Sequence, residues 1–283
     1  MEIGEEDVRI SKKTSRFPPH GAEPCQRCID AADIGGASKC LDRIRDSWLK
    51  RFLAGKIEEI TGNLNSANKT YQEALAAVRS GKKTAASPYW EAQFARKLAI
   101  LAWQGLRLVD ARAYLDQIEE TVGNNDRLKP LEADVHVIRG LLLSMEWRNG
   151  AAAACFARAR SVARDHGYSR RVVTALLLGG GVSRFHGDAG LVEAVRCLQE
   201  ARSICVEQHL LRTSLTVDVY LADIERSIDP QRAKAAYQML LGKATPLKLL
   251  LLEAKIAARL AGYEERSRAF EKFLSLSERL ERM

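Results

Sequence analysis

No apolar run in this chain approaches the ~20 residues that a helix needs to cross a bilayer. The Leu249–Leu252 stretch is soon followed by Glu253 and Lys255. The first seven residues are acidic and hold no apolar core, so a secretory leader is not expected there. The loops and pairings that catalysis reuses are missing as well. Ser80-Gly81-Lys82-Lys83-Thr84 lacks the upstream glycine of a phosphate-binding loop. Gly181-Val182-Ser183-Arg184-Phe185-His186-Gly187 lacks the spacing of a nucleophile elbow, and no strand precedes it. The five histidines are scattered, and carboxylate pairs such as Glu58-Glu59 and Glu119-Glu120 fall on charged helix faces that water solvates. These absences speak against a membrane-spanning protein and against an enzyme. An intracellular protein, cytoplasmic or nuclear, is expected.

What is present is a period. The chain has 283 residues, 46% hydrophobic and 28% charged, a composition that folds. A small residue is followed three or four places later by a bulky apolar one, and the bulky members fall in step: Tyr71, Leu115, Phe156, Leu198, Tyr237 and Phe270. Their separations are 44, 41, 42, 39 and 33 residues, which marks a stacked repeat array. Apolar residues recur at helical spacing from Leu41 through Ile44, Trp48, Phe52, Ile57, Ile60 and Leu64. Two kinds of break alternate. Short ones fall at Gly62-Asn63, Gly105, Asn149-Gly150, His186-Gly187-Asp188, Asp229-Pro230 and Gly262; longer ones separate one pair from the next. The expected fold is all-α, about six antiparallel helix pairs in a solenoid over residues 39–283. Residues 1–38, with Pro18, Pro19, Pro24 and Gly35-Gly36, read as an extended or partly disordered arm.

The small residues carry a packing rule. Gly55 stands twelve places before Ala67, Ala99 before Ala111 and Gly140 before Ala152, so that paired backbones can approach closely. Gly180 fits the fourth unit if the Gly187–Leu191 turn is two residues longer. Gly55, Ala67, Tyr71 and Ala74, then Gly140, Ala152, Phe156 and Ala159, then Ala194, Leu198 and Ala201 together resemble the tetratricopeptide-repeat family, over about residues 45–275. The usual unit has 34 residues, so the resemblance is to long-period variants. It implies a right-handed superhelix with a concave groove lined by the first helix of each pair, and implies no activity.

If first helices line the groove, periodicity assigns it Arg96, Trp103 and Gln104 in the second unit, and Val137, Leu141 and Met145 in the third. Leu177, Arg184 and Phe185 follow in the fourth, and Asp218, Glu225 and Arg226 in the fifth. Aromatic, methionine and arginine side chains are what a peptide-binding interface enriches; the other reading has Trp103 and Phe185 packing on neighbouring helices. A non-enzymatic scaffold that holds a peptide or helix of another protein, inside a larger complex, is the leading expectation.

Net charge is +8, concentrated in residues 41–86 and 126–171, each with 9 basic and 5 acidic side chains. A nucleic-acid-associated factor using these two stretches is the alternative. Arg158, Arg160, Arg164, Arg170 and Arg171 form a basic run expected on the outer face, either to meet phosphate or an acidic protein or as a solvated surface. Among six cysteines, Cys155, Cys197 and Cys205 read as small buried residues. Cys25-Gln26-Arg27-Cys28, with Cys40 and His20, has the makings of a tetrahedral zinc site in the arm; reduced thiols in a loop are the other reading.

Overall fold

The computed structural model describes residues 23–123 and 125–263. Two short helices, α1 (Glu23–Asp30) and α2 (Ile34–Leu41), precede the repeats. Hairpins follow: α3 (Ser47–Thr61) with α4 (Leu64–Ser80), and α5 (Ser87–Gln104) with α6 (Leu108–Gly123). After a 3₁₀ turn at Asp126–Leu131 come α7 (Glu132–Met145) with α8 (Asn149–Asp165), and α9 (Ser169–Ser183) with α10 (Gly187–Glu207). The last are α11 (Leu211–Glu225) with α12 (Pro230–Ala244), and then α13 (Leu250–Ala261). Among the described residues there is no strand, and no helix is long and apolar enough to cross a membrane. The sixth anchor, Phe270, lies outside the described residues.

Local chemistry sets the boundaries. Asp46 caps α3 by accepting from the backbone N–H groups of Trp48 and Leu49 at 2.9 and 3.0 Å. Gly62 ends the same helix at φ +90°, a backbone conformation that a side chain resists. Asp229 accepts from Gln231 and Arg232, and Pro230 occupies the first turn of α12, where its missing N–H costs nothing.

Packing follows the small-to-large rule. A Cβ at Gly55 would stand 2.5 Å from the Tyr71 ring, and one at Gly140 would stand 2.7 Å from the Phe156 ring. Tyr71 of α4 and Phe156 of α8 therefore lie directly against the bare backbone of the partner helix. Gly180 does the same against Ala194 and Leu198, so the fourth unit carries the longer spacing expected of it. Tyr71, Leu115, Phe156, Leu198 and Tyr237 are all buried, each contributing roughly 1.5–3 kcal/mol of apolar transfer energy.

Each helix packs on the next, and first helices also pack on one another, α5 on α7, α7 on α9, and α9 on α11. That is a solenoid. Its winding is tight enough that the ends meet: α13 packs on α3, and α11 on α1. One apolar cluster accordingly joins Leu49, Leu53 and Ile60 of α3 to Leu252, Ile256 and Leu260 of α13.

The described part of the expected arm is helical, not extended. Cys25 and Ile29 of α1 and Ala37 of α2 are fully buried. The residues that looked like breakers are helix starts. Pro24 lies in the first turn of α1. Gly35 and Gly36 open α2 beneath the Asp33 cap, where the Gly36 N–H donates to Asp33 at 2.8 Å. Eight-residue helices are too short to show a sustained period, which is why the pattern began only at Leu41.

Candidate functional site

The first helices are stitched along the inner wall by ion pairs that each span one repeat. Glu59 of α3 meets Lys97 of α5 at 2.7 Å. Arg96 of α5 meets Asp134 of α7 at 3.5 Å, and Arg171 of α9 donates to the other Asp134 oxygen at 2.8 Å. Arg184, at the end of α9, meets Asp223 of α11 at 3.4 Å; Arg259 of α13 donates to it at 2.7 Å, and the Tyr237 hydroxyl at 2.6 Å. Burial alone would push the Asp223 carboxyl up, but the hydrogen bonds from Arg259 and Tyr237 outweigh it and hold the group below the usual carboxylate range. A buried carboxylate kept charged in this way fixes three successive units to one another.

Where the ends of the array meet, a cavity of about 170 Å³ opens between α3, α5, α11 and α13. Lys56, Lys97, Arg212 and Lys255 contribute four cations to its lining, with Glu59 as the carboxylate among the lining residues. Ile60, Leu64, Leu249, Leu251 and Leu252 add apolar lining. Lys56 Nζ donates to Gln26 Oε1 of α1 at 2.7 Å. Gln26 donates in turn to Asp30 at 2.7 Å, and Asp30 also pairs with Arg170 of α9. Burial, together with the charges of Lys97 and Arg212, holds the Lys56 ammonium well below its ordinary pKa. Burial likewise lowers Lys97, against the opposing pull of Glu59. Arg212 Nε is buried with no hydrogen-bond partner.

The groove residues expected from periodicity divide into several environments. Gln104 lines the cavity. Arg96 and Arg184 belong to the ion-pair ladder, and Arg184 Nε is buried with no hydrogen-bond partner. Asp218 pairs with Arg202 at 3.1 Å and Glu225 with Arg232 at 3.3 Å, so both face second helices. Val137 and Leu141 are buried against Phe156, with Trp103 at the edge of that cluster and its Nε1 unpartnered. Leu177 is partly buried in the next cluster. Met145, Phe185 and Arg226 lie exposed at helix ends. Phe185 carries the Arg184 guanidinium 4.7 Å above its ring. Leu106, Trp147 and Ile228 are exposed in the equivalent turns, so one rim of the solenoid is apolar from the second unit to the fifth.

The basic run does not make one face. Arg158, Arg160 and Arg164 lie on α8, with Arg164 paired to Glu200 and Arg160 beside the Cys197 sulfur. Arg170 and Arg171 start α9 and turn inward to Asp30 and Asp134. The helix break at 166–168 puts these two on a first helix, with Arg170 still exposed.

Of the thiols in α1 and α2, Cys25 is buried and donates to the Ala37 carbonyl at 3.4 Å. Burial, with Cys40 and Cys28 nearby, pushes its pKa up to about 11. Among the described residues no group of three His, Cys, Asp or Glu is placed to hold a metal ion; His20 lies outside them. Cys197 and Cys205 are buried as expected, and Cys155 is half-buried.

The cavity cations were not singled out from sequence, though a signal exists. Lys56 and Lys97 stand about one repeat apart, as do Arg212 and Lys255.

No protein-family model and no curated protein sequence matches the chain. Solved structures do match it. A Rap protein complexed with competence and sporulation factor superposes with a TM-score of 0.61 at 14% identity, covering 91% of this chain and 84% of that one. A signal transduction ATPase with numerous domains, which carries a tetratricopeptide-repeat sensor and comes from Pyrococcus horikoshii, superposes with a TM-score of 0.57 at 15% identity. That match covers 96% of this chain and 45% of the other. The chain thus has the tetratricopeptide-like helical-repeat fold that its small-to-large pattern resembles.

Proposed function

We propose that this chain is a binding scaffold that takes a peptide or helix of a partner protein on its concave side, without performing chemistry itself. The observation that carries the reading is the cavity at the meeting of the array's ends, where side chains of the first, second, fifth and sixth units converge. An occupant there touches both ends of the solenoid at once. Repeat arrays use concave surfaces in this way, because each unit adds a strip of wall. The similar Rap protein was solved in complex with competence and sporulation factor, which supports a partner-binding reading here.

Nothing in the structure adds weight to the nucleic-acid alternative. Much of the basic charge of residues 126–171 is engaged internally, with Arg139 paired to Glu119, Arg148 to Glu146, Arg164 to Glu200, Arg170 to Asp30 and Arg171 to Asp134.

The test is site-directed photo-crosslinking in the native cell. A crosslinking residue at Gln104 or Thr216, inside, should capture a discrete partner that one at Lys69, on the outer second helix, does not. Filling the cavity with Gln104→Trp should abolish co-purification of that partner. Equal capture from inside and outside, or undiminished co-purification with Gln104→Trp, overturns the reading.

A further inference from the structure

We infer that the cavity at the seam between the two ends of the array is a binding site for a small aliphatic carboxylate, which bolts the first units to the last. This goes beyond the partner-binding reading and does not depend on it.

The argument starts from charge. Lys56 and Lys97 stand on the first-unit side of the seam, on α3 and α5; Arg212 and Lys255 stand on the last-unit side, on α11 and α13. Like charges therefore face each other across the one place where the solenoid must close on itself. Glu59 offsets only one of them, since both its oxygens accept from Lys97 Nζ, at 2.9 and 2.7 Å, and Asp30, which lies near Lys56 and Arg212, is itself paired with Arg170. Lys56 is satisfied only by the neutral Gln26 carbonyl. Arg212 has a buried Nε with no acceptor at all. A buried guanidinium that lacks an acceptor is costly, and an oxyanion in the cavity supplies what it lacks. Such an anion would accept from Arg212 on one wall and Lys56 on the other, turning repulsion across the seam into a bridge.

The apolar part of the lining narrows the class. Ile60, Leu64, Leu249 and Leu252 present hydrocarbon to the same space. Inorganic phosphate would leave that lining wet, whereas a branched acid places a carboxylate on the cations and methyl groups on the leucines. The volume, about 170 Å³, holds on the order of six waters, enough for a short acid or for one side chain of a bound peptide. Gln104 and Lys255 are exposed, so the cavity opens to solvent beside them.

The experiment is calorimetric titration of the full chain with 4-methylpentanoate, its neutral amide and inorganic phosphate. Amide exchange by mass spectrometry follows α3 and α13 in parallel. The acid should bind and slow exchange in both helices together, while the amide and phosphate do neither. Arg212→Gln should weaken acid binding at least about tenfold, the size expected for losing one charge-assisted hydrogen bond. Lys56→Gln keeps a polar side chain on the opposite wall and should weaken binding comparably, so that a folding defect in either variant alone does not decide the matter. Equal binding of amide and acid, preference for phosphate, or unchanged affinity in both folded variants would each overturn the proposal.

Discussion

The ring of Tyr71 occupies the space that any side chain at Gly55 would need, with its Cε1 atom 2.5 Å from where a Cβ would stand. Phe156 does the same over Gly140, at 2.7 Å. Helix propensity favours alanine over glycine by about 1 kcal/mol, but here overpacking opposes it at a typical cost of about 1–3 kcal/mol. Gly55→Ala and Gly140→Ala should therefore lower stability in urea denaturation. Gly242 is the control. It lies in α12, and a Cβ there would meet nothing within 4 Å, so Gly242→Ala should raise stability by about 0.5–1 kcal/mol. A gain at Gly55 equal to that at Gly242 would show that Tyr71 is free to move aside.

Asp223 is the knot of the last three units. Asp223→Ala leaves Arg184 and Arg259 without their buried carboxylate and should cost about 3–5 kcal/mol, whereas Tyr237→Phe removes a single charge-assisted hydrogen bond, worth roughly 1.5–3 kcal/mol. The pH dependence has a definite sign. The folded carboxyl lies below its unfolded value, near 3.9 for an ordinary aspartate. Its contribution is therefore fully present above about pH 4 and is lost as pH falls through the folded value. Stability of the wild type and Asp223→Asn should differ by a constant amount from neutrality down to about pH 5 and converge in stronger acid.

The repeat was legible because one packing event recurs at one spacing. Ala67 with Tyr71 and Ala152 with Phe156 show a small residue and a large one on the same helical face, and that face is buried in the five units whose anchors are among the described residues. The inner wall was not legible for a related reason. First helices are covered by partner helices and by neighbouring first helices, so α5 buries Ala92, Phe94, Ala95, Leu98, Ala99, Leu101 and Ala102 around most of its circumference. Apolar periodicity then fails to say which side is concave. Asp218 and Glu225, read as groove residues, pair with Arg202 and Arg232 of second helices. The meeting of α3 with α13 depends on small rotations summed over all units, and no local pattern reports that sum.

Lys56 should oppose folding when nothing is bound. Its ammonium lies well below the ordinary lysine value because of burial and the neighbouring Lys97 and Arg212 charges. A lysine lowered in the fold carries its full penalty at pH below the folded value. The penalty is relieved as pH rises through that value toward about 10.4, the unfolded reference. Lys56→Met keeps the stem and removes the charge, so it should raise the melting temperature at pH 7, and the gain should shrink toward pH 10. A variant less stable than wild type at pH 7 would mean that the hydrogen bond to Gln26 outweighs the cost of the buried charge.

Ile29 separates a docked helix from a loose arm. It is fully buried in α1, within the cluster that also holds Leu215 and Val219 of α11 and Leu252 of α13. Ile29→Ala should cost about 2–5 kcal/mol, as for other large-to-small changes in a core. Where the loss shows is the sharper test. Since α1 packs on both α3 and α11, and Asp30 pairs with Arg170 of α9, amide exchange should accelerate in α11 and α13 as well as in α1. Acceleration confined to residues 23–41 would mean that α1 rests on the solenoid without holding its ends together.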